Sequence, residues 1–247
     1  MSTLSLQVIA LNCDWSLDHN TPLIRNCTSA FTGAHAGFYE KFQFRNSTSE
    51  IIDYCWPMSG HRQSLLSFAS DPVTQPHFLR FVNAVTNDVN FHIEDALKWL
   101  GDIREVEKLQ DDAASWAAMP SDDRKEKESR LNGAYNSGRS ALYFTMEQFC
   151  LMALVTEHTA KVWLCKDIRL RLATALGYVL DQFVGSARSS LRVKNMGKLQ
   201  FKPLEVLLPL VTVYGNLADG GPFAGADDEE LQVRKLSFSL NSMLFCL

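Results

Sequence analysis

Apolar side chains recur at intervals of three and four residues along one continuous stretch of this chain. Such spacing places them on a single face of an α-helix, and that face must pack against other elements. We therefore predict one long amphipathic helix, with Gly101 as the place where it would break. The apolar positions are Phe78, Phe81, Val85, Val89, Ile93, Leu97, Leu100, Ile103 and Val106.

Local start and stop signals predict two shorter helices before this one. Residues 47–50 read Ser-Thr-Ser-Glu, a capping box that predicts a helix start, and Pro57 predicts the end of that helix. A second short helix is predicted to begin at Ser59 or Gly60. Nearer the N-terminus, residues 4–11 are the only stretch that resembles a regular element.

The second half of the chain carries similar signals. Pro120 and the acidic residues after it predict a helix start, and apolar spacing extends this helix to the polar residues 156–158. Another helix is predicted over residues 168–183, followed by a loop. Pro203 predicts the first position of a last clear helix, which Pro209 is predicted to kink or shorten.

The fold class follows from this series of helices. No alternating apolar and polar run of useful length occurs, so we predict an all-α chain of antiparallel amphipathic helices. Such chains form compact bundles or helical-repeat solenoids. No regular repeat is found, so a solenoid would be an irregular one.

Composition excludes several classes of protein and partner. The chain of 247 residues is 46% hydrophobic, which excludes intrinsic disorder, and its net charge of −4 argues against nucleic acid as a partner. It contains no apolar run of membrane-spanning length, and its N-terminus lacks a secretory signal. We therefore expect no membrane partner and a cytoplasmic or nuclear location.

The sequence offers little sign of catalytic chemistry. Its six cysteines form no CxxC pair, and phosphate-binding, dinucleotide-binding and hydrolase motifs are absent. His158 and Cys165 are a formal base and nucleophile, but a structural thiol is favoured. We predict no catalytic, cofactor-binding or metal-binding residue and no cofactor. Asn87 and Asp88, set between valines, are predicted to hydrogen-bond to a neighbouring helix.

Positive charge is clustered in one place only. This cluster is interpreted either as a solvated connection or as a docking patch for an acidic partner or the carboxyl end of a helix. The candidate docking residues are Arg188, Arg192, Lys194, Lys198 and Lys202.

Residues 78–88, followed by 91–97 and an imperfect match over 103–110, resemble the core region of the ubiquitin conjugation factor E4 family, the U-box chain-elongation ligases. Many ordered landmarks carry this resemblance, so it is more specific than one short motif. The others are 37–45, 54–56, His61, 172–176, Gln182, Gly185, 191–195, 201–203 and 226–229.

The resemblance implies an irregular, armadillo-like helical solenoid that serves as the core scaffold of a ubiquitin chain-elongation ligase. It implies protein partners: ubiquitinated substrates, a valosin-type AAA ATPase, ubiquitin-like shuttle proteins and, where a U-box is present, a conjugating enzyme. The ligase contributes proximity and orientation, because the thioester sits on the conjugating enzyme.

The resemblance also divides the chain. Residues 1–36 are interpreted as a partial N-terminal segment, 37–230 as the ubiquitin elongating factor core, and 231–247 as a divergent tail too short for a U-box. We therefore expect a truncated ligase core that is inactive alone. The alternative is a stand-alone adaptor that binds an AAA ATPase or a shuttle protein without ligase activity.

Overall fold

The computed structural model describes residues 40–219, and this part of the chain is all-α, with no strand. The predicted fold class is confirmed at that level, while the armadillo-like solenoid stays a prediction. The α-helices are α1 (Glu40–Cys55), α2 (Ser59–Ser70), α3 (Gln75–Asp111), α4 (Ala113–Ala118), α5 (Ser121–Trp163), α6 (Arg169–Val184), α7 (Met196–Leu199) and α8 (Pro203–Asp219), and a 3₁₀ helix covers Ser186–Leu191.

Helices α3 and α5 form the centre of the core. They have 37 and 43 residues, or roughly 55 and 65 Å of helix. The contacts between them run in opposite chain directions, since His92 meets Phe144 while Glu107, further along α3, meets Tyr135, which is earlier in α5. The two helices are therefore antiparallel, and the other helices pack against one or both of them.

The predicted apolar stripe of α3 is confirmed. Eight of its nine positions are buried, and Leu97 is partly buried against the same core. The predicted break at Gly101 is wrong, because α3 runs unbroken from Gln75 to Asp111. One glycine costs a helix only about 1 kcal/mol, and the burial of the flanking Leu100 and Ile103 outweighs that cost.

The predicted helix start at residues 47–50 is also wrong. The chain is already helical at Glu40, so these residues lie inside α1. The Thr48 and Ser49 hydroxyls donate to main-chain carbonyls one turn back, at 2.9 Å each, instead of capping free amides. Hydroxyl side chains make either bond, and the burial of both residues favours the internal one.

The predicted start of α5 is confirmed and its predicted end is wrong. The helix begins directly after Pro120, but it passes the polar residues 156–158 and ends at Trp163. Thr156 is fully buried and its hydroxyl donates to the Met152 carbonyl at 2.6 Å. Thr159 bonds in the same way to Val155, so these polar side chains are satisfied within the helix.

The remaining helix predictions agree with α2, α6 and α8. Pro203 is the first residue of α8, and Pro209 lies within that helix, which Pro209 does not shorten. The loop predicted after α6 instead contains the 3₁₀ helix and α7. The predicted element at 4–11 and the tail at 231–247 lie outside the described residues.

The polar pair Asn87 and Asp88 hydrogen-bonds to two neighbouring helices, as predicted. Asn87 Oδ1 accepts from an Arg171 guanidinium nitrogen on α6 at 3.1 Å. Asp88 Oδ1 accepts from Arg45 on α1 at 2.6 Å in a buried ion pair. The pair therefore connects α3 to α1 and α6.

His92 lies one turn from Asp88, among aromatic rings. Its ring is 97% buried and lies 4.6 Å from the Phe42 ring and 5.2 Å from the Phe144 ring, centroid to centroid. Burial, together with the nearby charges of Arg45 and Lys41, lowers the pKa of His92 to about 4. Burial raises the pKa of Asp88 to about 6, because desolvation outweighs the attraction of Arg45.

We predict that Gly101→Ala raises the free energy of unfolding by about 0.5–1 kcal/mol, because the position is continuous helix. An added methyl group meets only the Arg104 guanidinium, at 3.9 Å. Urea unfolding measures the change, with Gly133→Ala in α5 as the matched control, since no atom lies within 4 Å of that position. A loss of stability confined to the Gly101 variant would contradict the unbroken helix.

Asp88 and His92 make opposite contributions to the pH dependence of stability. Between about pH 4 and 6 the folded chain keeps a proton on Asp88 that the unfolded chain releases, so this contribution falls as pH rises. Between about pH 4 and 6.5 the unfolded chain binds a proton on His92 that the folded chain lacks, so that contribution rises with pH. The two largely offset each other in the parent chain.

We therefore predict opposite slopes in two variants. Relative to the parent, the free energy of unfolding of Asp88→Asn rises by about 2 kcal/mol from pH 4 to pH 6.5, and that of His92→Leu falls by a similar amount. Urea titrations across this range measure the slopes, independently of any uniform loss of stability. Slopes of the same sign in both variants would show that the two groups do not oppose each other.

Candidate protein-docking surface

The clustered positive charge lies on one connected segment, residues 186–202, which we call the basic segment. It contains five cationic residues and no carboxylate. Arg188 lies on the 3₁₀ helix, Arg192 and Lys194 on the stretch after it, Lys198 on α7 and Lys202 just before α8. All five side chains are exposed.

Apolar residues hold the basic segment against the core. Leu191, Val193 and Leu199 are buried, with Leu199 fully enclosed, whereas the cations between them face solvent. This division explains why a segment with the composition of a loop follows a fixed path.

A buried carboxylate ties the same segment to both central helices. Glu107 on α3 is 94% buried, and its Oε2 accepts a hydrogen bond from the Lys194 main-chain N–H at 3.0 Å. Its Oε1 accepts from the Tyr135 hydroxyl of α5 at 2.6 Å. Burial and the Glu107 carboxylate raise the pKa of Tyr135, so this hydroxyl keeps its proton and remains a donor. Charged hydrogen bonds of this kind are the stronger ones.

Arg104 makes a second connection, one turn before Glu107. Its guanidinium donates to the main-chain carbonyl of Ser190 and, at 3.4 Å, to that of Arg192. The Ser190 hydroxyl in turn donates to Gln182 of α6 at 3.1 Å. The C-terminal half of α3 thus fixes the backbone of the basic segment at several points.

The five predicted docking residues have different surroundings. Lys194 pairs with Asp111 and also donates to the Glu107 carbonyl at 3.2 Å, so it supports the fold. Lys202 pairs with Glu205 at 3.3 Å. Lys198 lies over the Tyr135 ring, 5.1 Å from its centroid. Within residues 40–219, Arg188, Arg192 and Lys198 form no salt bridge.

The structure does not bring His158 and Cys165 together as a catalytic pair. The His158 ring stacks on Trp56, with centroids 6.2 Å apart, and Cys165 follows the end of α5. No hydrogen bond joins the two in the described chain. A groove of about 580 Å³ opens beside His158 between α2, α5 and α8.

The described residues also offer no reactive thiol at Cys150, no metal site and no membrane-spanning helix. Burial and two neighbouring carboxylates raise the pKa of the Cys150 thiol to about 11, which disfavours a nucleophilic thiolate. No group of His, Cys, Asp and Glu side chains within residues 40–219 has the arrangement of a metal site. None of the helices in this range is both long and apolar enough to cross a bilayer.

Comparison with known protein families shows the family to which this chain belongs. The family described as "ubiquitin elongating factor core" matches residues 20–227, which is most of the chain. The chain belongs to this family. The match covers the basic segment, Glu107 and both central helices. It includes the landmarks on which the resemblance to the ubiquitin conjugation factor E4 family rests, except the two last residues of 226–229.

Curated relatives from distant eukaryotes are named as E4 ubiquitin conjugation factors or E4 ubiquitin-protein ligases. The chain is 30% identical over 190 residues to a probable ubiquitin conjugation factor E4 of Arabidopsis thaliana, over 77% of this chain and 18% of the relative. It is 28% identical over 215 residues to the E4 ubiquitin-protein ligase UFD2 of Saccharomyces cerevisiae, over 87% of this chain and 22% of the relative. The chain therefore spans about a fifth of the length of these relatives.

The sequence predicted the cations of the basic segment but not the two groups, Glu107 and Tyr135, that hold the segment in place. Glu107 follows Ile103 by four residues, so it occupies a position of the apolar stripe. A charged residue on a buried helical face indicates a paired carboxylate, and that signal was available from the spacing alone. The Tyr135 partner was not, because pairing between α3 and α5 depends on their register.

We predict that Tyr135→Phe lowers the free energy of unfolding by about 1–3 kcal/mol, because Glu107 Oε1 loses its donor while it stays buried. Urea unfolding measures the loss. Tyr54→Phe is the matched control: that residue is 60% exposed, and the expected change is within about 0.5 kcal/mol. Equal losses of stability in the two variants would show that the hydrogen bond between Tyr135 and Glu107 does not stabilise the fold.

Proposed function

We propose that this chain forms part of the helical core of an E4-type ubiquitin-protein ligase, which extends ubiquitin chains on substrates that are already modified. The observation that carries the proposal is the family match over residues 20–227, supported by relatives named as ubiquitin conjugation factors and ligases. The finer architecture proposed for this core is the armadillo-like solenoid.

In this function the core acts by holding its partners in fixed positions. The thioester that donates ubiquitin sits on the conjugating enzyme, so the scaffold contributes proximity and orientation. Helices α3 and α5, which are roughly 55 and 65 Å long, supply a stiff frame for that purpose. The ties at Glu107 and Asp88 fix neighbouring elements on the frame, which is what a positioning scaffold requires.

The partners in this proposal are proteins. They comprise ubiquitinated substrates, a valosin-type AAA ATPase, ubiquitin-like shuttle proteins and, through a U-box of the complete ligase, a conjugating enzyme. The proposed location is cytoplasmic or nuclear. Three exposed cations without salt bridges in the described residues support a protein-binding surface on this part of the core.

We predict that the native protein extends ubiquitin chains. An antibody against residues 121–155 isolates it from extracts of the source organism, and the precipitate receives activating enzyme, conjugating enzyme, ubiquitin and a monoubiquitinated substrate. Longer chains on the substrate are expected, because the core belongs to an elongating ligase. A precipitate made with antibody that was blocked by the 121–155 peptide is the control.

An adaptor without ligase activity gives a different result. Its precipitate would extend no chains, and the purified 247-residue chain would inhibit extension by the Saccharomyces cerevisiae relative. That pair of results would contradict the ligase proposal and favour the adaptor.

A further inference from the structure

We propose that Arg188, Arg192 and Lys198, together with Leu204 and Leu208, form a docking surface for an acidic, leucine-containing peptide segment of a partner protein. The inference rests on the proposed function only for the premise that the partner is a protein. Peptide binding is measured directly on the purified chain, so either proposal can fail without the other.

The cations at this surface have no salt-bridge partner in the part of the chain that the structure describes. The basic segment contains no carboxylate, and the nearby acids Asp111 and Glu205 are used by Lys194 and Lys202. The three remaining cations form no salt bridge within the described residues. Arg188 and Arg192 carry guanidinium groups, whose planar array of donors binds carboxylates in pairs of hydrogen bonds.

Exposed apolar side chains follow the basic segment directly along the chain. Leu204 follows Lys202 by two residues and is 45% exposed, and Leu208 is 57% exposed. The two leucines are four residues apart on α8, so they share one helical face. Most leucines of this core are buried, so two exposed ones on a single face indicate a contact surface. A partner that binds both the cations and the two leucines must carry carboxylates next to an apolar side chain.

The surface is held in place before a partner arrives. Buried Leu191, Val193 and Leu199 fix the basic segment from below, and Glu107 and Arg104 bind its main chain. A segment that is already ordered loses less conformational entropy on binding than a free loop does. This arrangement distinguishes the basic segment from a solvated connection.

The charge of the rest of the chain favours a peptide over nucleic acid. The chain has a net charge of −4 and a pI near 5.9, so a long polyanion would meet repulsion beyond the patch. Asp111 and Glu205 also pair with Lys194 and Lys202, which reduces the positive charge open to a long polyanion. A short acidic segment fits within these limits, and the exposed leucines have no role in binding phosphates.

The test uses the purified 247-residue chain and a short fluorescein-labelled peptide that repeats Glu-Glu-Leu, with binding followed by fluorescence anisotropy. The variant R188E/R192E/K198E is expected to bind about tenfold more weakly or worse, because three attractive contacts become repulsive. The matched control K125E/K161E/K166E makes the same change in net charge at exposed lysines outside the patch, and its affinity is expected to stay within about twofold.

Two further measurements test the apolar half and the class of partner. L204S/L208S is expected to weaken binding of the Glu-Glu-Leu peptide and to leave binding of a Glu-Glu-Ser peptide unchanged. Circular dichroism checks that each variant keeps the helical content of the parent. Equal losses in the two charge-reversal variants, no binding of the peptide by the parent chain, or tighter binding of a DNA duplex than of the peptide would each overturn the proposal.

Discussion

The antiparallel packing of α3 on α5 is the interaction on which the described structure depends. Each helix carries an apolar face that must be covered, and each helix provides that cover for the other. The remaining helices then pack on the frame so formed. An element that packs on two long helices has a defined position. Holding partners in defined positions is the contribution that we propose for the core of an elongating ligase.

Two buried carboxylates on α3 refine this packing. Asp88 pairs with Arg45 of α1, and Glu107, roughly 28 Å further along the helix, accepts from Tyr135 and Lys194. A buried charge is expensive unless it is paired and hydrogen-bonded, so each carboxylate penalises arrangements that leave it without partners. Asp88 thereby specifies the place of α1, and Glu107 specifies the path of the basic segment. The second tie connects the core to the surface that we propose for a partner.

The sequence predicted those features that depend on local chemistry. The stripe from Phe78 to Val106, the start of α5 after Pro120 and the start of α8 at Pro203 all follow from periodicity or capping. The errors share one cause, which is that burial changed the role of a polar or small residue. Thr48, Thr156 and Gly101 resemble helix ends in sequence, but tertiary packing keeps each of them inside a helix. Likewise, the cations of the docking surface could be read from composition, whereas the pairing of Lys194 with Asp111 needed the fold.

The central claim is that Glu107 holds the basic segment on the α3 and α5 frame. Amide hydrogen exchange of the full chain, compared between the parent and Glu107→Leu, tests it most directly, because exchange reports local opening of individual segments. Leucine fills a similar volume and removes both hydrogen bonds. The account predicts faster exchange over residues 186–202, including the Lys194 amide, while the middle of α5 keeps its protection. Unchanged exchange in that segment, or an equal loss of protection throughout the chain, would contradict it.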